Sequence, residues 1–305
     1  MRPAILQLDD SLARQGSLER AVLARGGRVM SARDLGPALR LWTRRGTLGE
    51  LRGRILDGLP ARGEAEVVFA GSGDFHHVTP LLLERAVAMA GEPVTVLHFD
   101  NHPDWVRFAQ GLHCGSWVGQ AARMDGVDRV VTVGVCSPDI GRRKAHEGDL
   151  ELIWENKLDV FAWTAPDGRA EVTLEGRSWP TIESLGEAAF LDRLDAAIAT
   201  RSVYVTLDKD VLRAEDAVTN WDQGRASLEF VAAAVRSVSR GRRIVGADVV
   251  GDWSKPDYGL GLGGLMKRGE AMLDQPWSRP RPDEADRLNE AVNLRLLEVF
   301  TELRR

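Results

Sequence analysis

The chain has 305 residues, 44% of them hydrophobic and 28% charged, with a net charge of −5. These proportions describe a globular protein able to bury a large core, and the mild negative charge gives no electrostatic reason to expect nucleic acid or an anionic membrane as partner. Two cysteines, Cys114 and Cys136, exclude a disulfide framework, the N-terminus carries no signal-peptide pattern, and no apolar run approaches the roughly 20 residues of a membrane span, so a cytoplasmic protein is expected.

In chain order, short Val-rich runs alternate with longer helical patterns. AILQL (4–8) reads as a strand, followed by helical patterns at 17–25 and 47–58. EVVFAG (66–71) precedes a helix at 80–90, and VTVLHFD (94–100) precedes one at 115–124. RVVTVGV (129–135) is the next strand. SVYVTLD (202–208) lies between helices at 187–200 and 227–240, and RIVGADVV (243–250) is the last strand. A helix at 283–303 shows the clearest amphipathic spacing, in Leu288, Val292, Leu296, Val299 and Leu303. The strands are nearly continuous in apolar residues, as strands buried on both faces are. Their alternation with helices predicts an α/β fold: a mainly parallel sheet with helices on both faces. The stretch 137–182 reads as an irregular excursion and 254–270 as a Gly-rich loop. The glycines of that loop miss a GxGxxG after a strand, which argues against dinucleotide binding.

Five of the six histidines fall between His76 and His113. The local text is GSGDFHH (71–77), HFDNHPDW (98–105) and LHCGS (112–116), joined later by YVTLDKDVL (204–212). Three of these motifs follow predicted strands, at the sheet edge where open parallel sheets bind ligands. Asp100, His102 and Asp104 stand at every second position, so an extended segment points all three the same way. Asp208 and Asp210 repeat the device, and two carboxylates so close repel unless a cation lies between them. Taken alone, an Asp-x-Asp at a strand end is often only a turn or a cap. Beside the other motifs it reads as a metal site. His76 or His77 completes the ligand set. One His with Asp104, Asp208 and Asp210 would hold one ion; Asp100, His102, Asp104 and Asp208 would hold another, sharing carboxylates. The carboxylate-rich donor set favours two Mn2+ ions, with Ni2+, Co2+, Fe2+ or Zn2+ as alternatives. His113, in a loop before a helix, is the candidate for proton transfer, or else a capping histidine. His98 is expected to be a core histidine bonded to backbone, or else a residue that supports a ligand; Cys114 is a packed residue or an exposed reactive thiol, and His146 a surface residue.

On these residues the chain resembles the ureohydrolase (arginase/agmatinase/formiminoglutamase) family, over about residues 64–260. That family carries Gly-Gly-Asp-His, Asp-Ala-His-x-Asp, a His-Gly loop and Asp-x-Asp-Val-Leu-Asp-Pro in this order. The resemblance implies a three-layer α/β/α sandwich, a single arginase-like catalytic domain over 1–305, and a binuclear manganese centre. It implies hydrolysis of a C–N bond in a guanidine, amidine or related small-molecule amide by a metal-bridging hydroxide, and a homo-oligomer, trimer or hexamer. By position it implies His76, Asp100, His102, Asp104, Asp208 and Asp210 as metal ligands. His113 and Asp104 become the catalytic residues, Asp104 bridging the metals and holding the hydroxide.

The chain also departs from the family. After Asp210 it reads VLRAEDAVTNWDQGR, with Arg213 where a third acid is expected. In DVVGDWSKPDY (248–258), Gly251 stands where the family has the Glu that holds the substrate guanidinium. Either Asp252 takes over with a shifted backbone, or the substrate is not a plain guanidine; Trp221 and Trp253 suggest a bulkier pocket. The altered loops motivate a second reading, a catalytically altered scaffold or small-molecule binder. A metallophosphatase would bring further histidines late in the chain, and none follows His146.

Overall fold

The computed structural model describes residues 1–59, 64–141, 145–276 and 280–303. Eight strands form one sheet: β1 (Arg2–Gln7), β2 (Arg28–Ser31), β3 (Glu66–Gly71), β4 (Val94–Phe99), β5 (Val127–Val135), β6 (Leu158–Ala162), β7 (Ser202–Asp208) and β8 (Arg243–Val250). Their spatial order is β2-β1-β3-β8-β7-β4-β5-β6, and every pairing is parallel. The four central strands are buried along almost their whole length. That is why they lack the polar–apolar alternation of a half-exposed strand.

Helices cover both faces of the sheet. The helices α1 (Gly16–Ala24), α2 (Arg45–Gly58), α3 (Thr79–Ala90), α4 (Trp117–Ala122), α5 (Glu187–Ala197), α6 (Leu228–Gly241), α7 (Gly261–Asp274) and α8 (Pro282–Glu302) account for the helical patterns in the sequence and add α7. α3 packs on β8 and on α4, whereas α1 packs on α8, and α8 on α6. Local chemistry sets several of the ends. Gly91 closes α3 in the left-handed conformation at φ +67°. Ser227 Oγ accepts the N–H of Phe230 at 3.1 Å to start α6. The result is a three-layer α/β/α sandwich.

Three sequence expectations are corrected. The stretch 137–182 is not only an excursion: it holds β6, the edge strand beyond β5, and an antiparallel ribbon of Glu171–Leu174 with Arg177–Pro180. β2 was not anticipated, because four residues with mostly exposed side chains carry no periodic signal. The segment 254–270 contains most of α7 rather than a loop. One of its glycines serves close packing: a Cβ at Gly264 would collide with the carbonyl oxygen of Gly259. None of the described helices is long and apolar enough to cross a membrane.

Candidate metal centre

The strands β3, β8, β7 and β4 are neighbours, and their C-terminal ends deliver the acidic and His motifs to one place. β3 runs into the turn Gly73–Val78, which carries His76 and His77. β4 ends one residue before Asp100. β7 ends at Asp208, whose Oδ1 accepts the N–H of Asp210 at 3.0 Å and so tightens the turn that holds both carboxylates. Asp100 does the same for His102, accepting its N–H at 2.6 Å. Asp104 sits at φ +48°, an uncommon conformation that turns the chain after its carboxylate is placed.

His76 is the histidine that meets the carboxylates. Its Nδ1 lies 3.1 Å from Asp100 Oδ2, 3.1 Å from Asp104 Oδ2 and 3.6 Å from Asp208 Oδ2. The ring is fully buried, and this nitrogen has no hydrogen-bond partner. The other nitrogen explains why. Thr206 Oγ1 donates to Asp248 at 2.8 Å and therefore accepts from His76 Nε2, also at 2.8 Å. In the neutral ring that relay places the proton on Nε2 and the lone pair on Nδ1, the tautomer a metal ligand needs. Tyr204 and Thr79 also donate to Asp248, anchoring the relay in the core. His77, by contrast, is buried away from these carboxylates. Burial and the neighbouring His113 and Lys267 press its basicity well below the ordinary histidine value.

His102 forms the second half of the cluster. Its Nδ1 is 3.0 Å from Asp210 Oδ2 and 3.5 Å from Asp100 Oδ1, and its Nε2 is 2.9 Å from Asp222 Oδ1. Two groups thus hold donor atoms within 4.8 Å of one another: His76, His98, Asp100 and Asp104, and Asp100, His102 and Asp210. Asp100 is the carboxylate common to both. Asp104 faces His76, and its Oδ2 accepts from Trp117 Nε1 at 2.7 Å. His98 follows the reading in which it supports a candidate ligand. Its ring bonds Asp100 Oδ2 at 2.9 Å and the Thr132 hydroxyl at 3.1 Å, not backbone.

The carboxylates strain against one another. Burial, then Asp100, push the Asp208 carboxyl up to about 7. Burial, with Asp100 and Asp208, raises Asp210 well above the carboxylate range, and burial with Asp100 raises Asp104. Asp100 alone goes the other way: burial lifts it, but the histidines around it, His102, His76 and His98, outweigh that and hold it well below its ordinary value. A divalent cation relieves this repulsion, and the unpartnered His76 Nδ1 supplies its nitrogen donor. The residues therefore fit a metal centre.

The cluster floors a cavity of ≈ 440 Å³. His113, Trp221, Phe108, Asp222 and Glu270 line its walls, and among the described residues lining it none is Lys or Arg. Trp221 lines the cavity, 5.7 Å ring to ring from His102, with Nε1 on Asp74. Trp253 and Asp252 are not at the cavity. Asp252 is buried, with its carboxylate 2.7 Å from Lys209 Nζ and bonded to Gln15 Nε2 at 2.6 Å and Asn293 Nδ2 at 3.1 Å. It cannot serve a substrate while it neutralises a buried lysine. Asp222 and Glu270 escaped the sequence reading. Asp222 adjoins Trp221 in a loop already noted as altered, and Glu270 had no local signal.

A model of the arginase family matches residues 62–252.

The chain belongs to the arginase family.

An uncharacterized protein of Thermotoga maritima is 27% identical over 186 residues, 61% of this chain. The match spans 58% of the length of that relative. Arginase family members of known structure share the fold at low identity. Arginase from Bacillus cereus superimposes with a TM-score of 0.58 at 14% identity, over 96% of each chain. Formimidoylglutamase from Bacillus subtilis gives 0.60 at 12% identity, over 99% of this chain and 88% of that one. Proclavaminate amidino hydrolase from Streptomyces clavuligerus gives 0.54 at 18% identity, over 95% and 91%.

Proposed function

We propose that this arginase-family chain is a binuclear, manganese-dependent hydrolase of a C–N bond in a guanidine, amidine or related amide, built as one catalytic domain over residues 1–305. The observation that carries the reading is His76 Nδ1, buried without a hydrogen-bond partner among Asp100, Asp104 and Asp208. His76, Asp100, Asp104 and Asp208 would hold one ion, and Asp100, His102, Asp208 and Asp210 the other. The preponderance of carboxylates favours manganese, with Ni2+, Co2+, Fe2+ or Zn2+ as alternatives. When bound, such ions supply Lewis acidity and make water nucleophilic near neutral pH.

The chain's own residues supply the rest. Asp104 keeps Oδ2 on Trp117 and His76, which leaves Oδ1 to take a proton from the attacking water. His113, on the cavity wall, hands a proton to the leaving amine. Trp221 and Phe108 flank the cluster and exclude bulk water. Five acids beyond the ligand cluster (Asp139, Glu147, Asp222, Glu270 and Asp274) line the cavity, which suits a cationic substrate group. The reading extends to a cytoplasmic homo-oligomer, trimer or hexamer. Free thiols at Cys114 and Cys136 support the compartment, and the exposed Leu262, Leu265, Met266 and Leu273 of α7 support self-association.

The scaffold reading keeps one observation in its favour: Gly251 supplies no carboxylate where the family has one. His113→Asn separates the two. A hydrolase loses turnover of its guanidine or amidine substrate and keeps its metal; a scaffold shows no turnover to lose.

A further inference from the structure

His113 ends the short strand Leu112–His113, which pairs antiparallel with Trp42–Thr43 so that Trp42 stands opposite His113. Its side chain caps the turn that follows. Nδ1 accepts the N–H of Gly115 at 2.8 Å, and the His113 N–H is returned to Ser116 Oγ at 2.9 Å. A backbone N–H is always a donor, so Nδ1 carries a lone pair. The one proton of the neutral ring therefore sits on Nε2. Nε2 lies 2.9 Å from Glu270 Oε1, which takes that proton in a hydrogen bond. Turning the ring over would put carbon at both contacts and forfeit both bonds.

Glu270 is itself held. Its other oxygen accepts from Trp42 Nε1 at 2.8 Å. The carboxylate stays ionised: burial pushes it up, but the bonds from His113 and Trp42, with Lys267 nearby, outweigh burial and hold it below the usual range. His77, Lys267 and Cys114 are the other titratable groups close to this pair. Lys267 is tied to the carbonyls of Pro37 and Ala38, at 3.0 and 2.9 Å. Phe108 closes the remaining side of the imidazole, 5.6 Å ring to ring. The bonds thus run Trp42 to Glu270 to His113 to Gly115, from two strands and a helix that are remote in sequence.

We propose that Glu270 is the positioning residue of His113: it takes the Nε2–H bond and fixes the tautomer and orientation of the imidazole at the cavity wall. The proposal rests on the reading of His113 as the proton-handling residue of the site: Nδ1 is committed to the Gly115 N–H, so the proton His113 would exchange is the one on Nε2, shared with Glu270. It assigns a role to α7, the helix that the Gly-rich sequence hid. Glu270→Ala should lower kcat by about 10- to 100-fold, the usual scale for losing the partner that orients a functional histidine, with KM nearly unchanged. Glu270→Gln keeps an acceptor for Nε2–H and should recover part of the loss.

The deciding measurement is the 15N spectrum of the histidine rings in zinc-loaded, diamagnetic protein, with His113 assigned from the His113→Asn variant. The expected result is a protonated Nε2 and a bare Nδ1 in the wild type, a mixture of tautomers in Glu270→Ala, and the wild-type pattern in Glu270→Gln. Trp42→Phe, which releases only the second oxygen of Glu270, should give a smaller shift the same way and serves if Glu270→Ala folds poorly. A wild-type His113 protonated on Nδ1, or a tautomer indifferent to both variants, overturns the proposal. These readouts need no turnover, so an inactive wild type would count against the hydrolase and leave the tautomer result standing on its own.

Discussion

Gly251 lies so close to Asp208 that no side chain fits between them. A Cβ at residue 251 would collide with Asp208 Oδ1 and with the backbone nitrogen of Lys209, and the residue sits at φ +95°. Gly73 presses on the same carboxylate from the other side, where a Cβ would fall 2.5 Å from Oδ2. The two glycines are thus the walls of the slot that aims Asp208. A glutamate at 251, which the resemblance to the ureohydrolases implies, has no room on this backbone.

Gly251→Ala should therefore act on the metal rather than on specificity. The strained conformation costs on the order of 1–3 kcal/mol, and the displaced Asp208 should lower metal content. Gly251→Glu should do the same more severely and bring no gain toward simple guanidines. Elemental analysis and chemical denaturation check both. A variant that binds metal like the wild type would show that the slot does not aim Asp208.

His76 and His77 are adjacent, yet substitution should separate them. His76→Asn removes the nitrogen that faces three carboxylates and should cost at least one ion per chain. His77→Asn should leave the stoichiometry of the folded protein intact, because no carboxylate of the cluster meets that ring. The reverse result would exchange their roles.

Much of this was legible in the sequence, and the reason is local. The buried strands are uninterrupted Val-rich runs, and the candidate ligands follow them within a few residues, so sequence neighbours are site neighbours. Asp100, His102, Asp208 and Asp210 needed only strand ends to be found. What was hidden is tertiary. Asp252 looks like a pocket residue until Lys209, with no charge partner of its own in sequence, claims it in the core. Glu270 sits on a helix whose glycines mimic a loop, and its partners Trp42 and His113 lie far away in the chain. His98 and Asp222 take their meaning from Asp100 and His102 alone.

Asp252→Ala should destabilise without touching substrate affinity. It leaves the Lys209 ammonium buried and uncompensated, and breaking such a pair costs roughly 3–5 kcal/mol. Burial already holds that lysine below its ordinary basicity even with Asp252 beside it. Denaturant titration should show the loss, while KM of the folded enzyme stays close to wild type. A large KM change at unaltered stability would return Asp252 to the substrate.

The stability of the metal-free protein should fall as pH rises from about 4 to about 7. Asp208 is lifted from its ordinary 3.8 to about 7, so the folded state binds more protons than the unfolded one between those values. Stability then decreases with rising pH across that window. The raised Asp104, Asp210, His76 and His102 act in the same direction. Asp100, held low, loses its contribution only in acid below its ordinary value, outside this range. Added Mn2+ should therefore raise Tm more at pH 8 than at pH 6, by mass action on the ionised cluster. Scanning calorimetry with and without metal checks this, and an equal shift at both values would contradict it.

The account stands most directly on the metal content of the purified protein, grown with manganese and measured by elemental analysis. Close to two transition-metal ions per chain is the expected result. A chain that holds none, even after manganese is added back at pH 8, would contradict the metal centre and the hydrolase built on it.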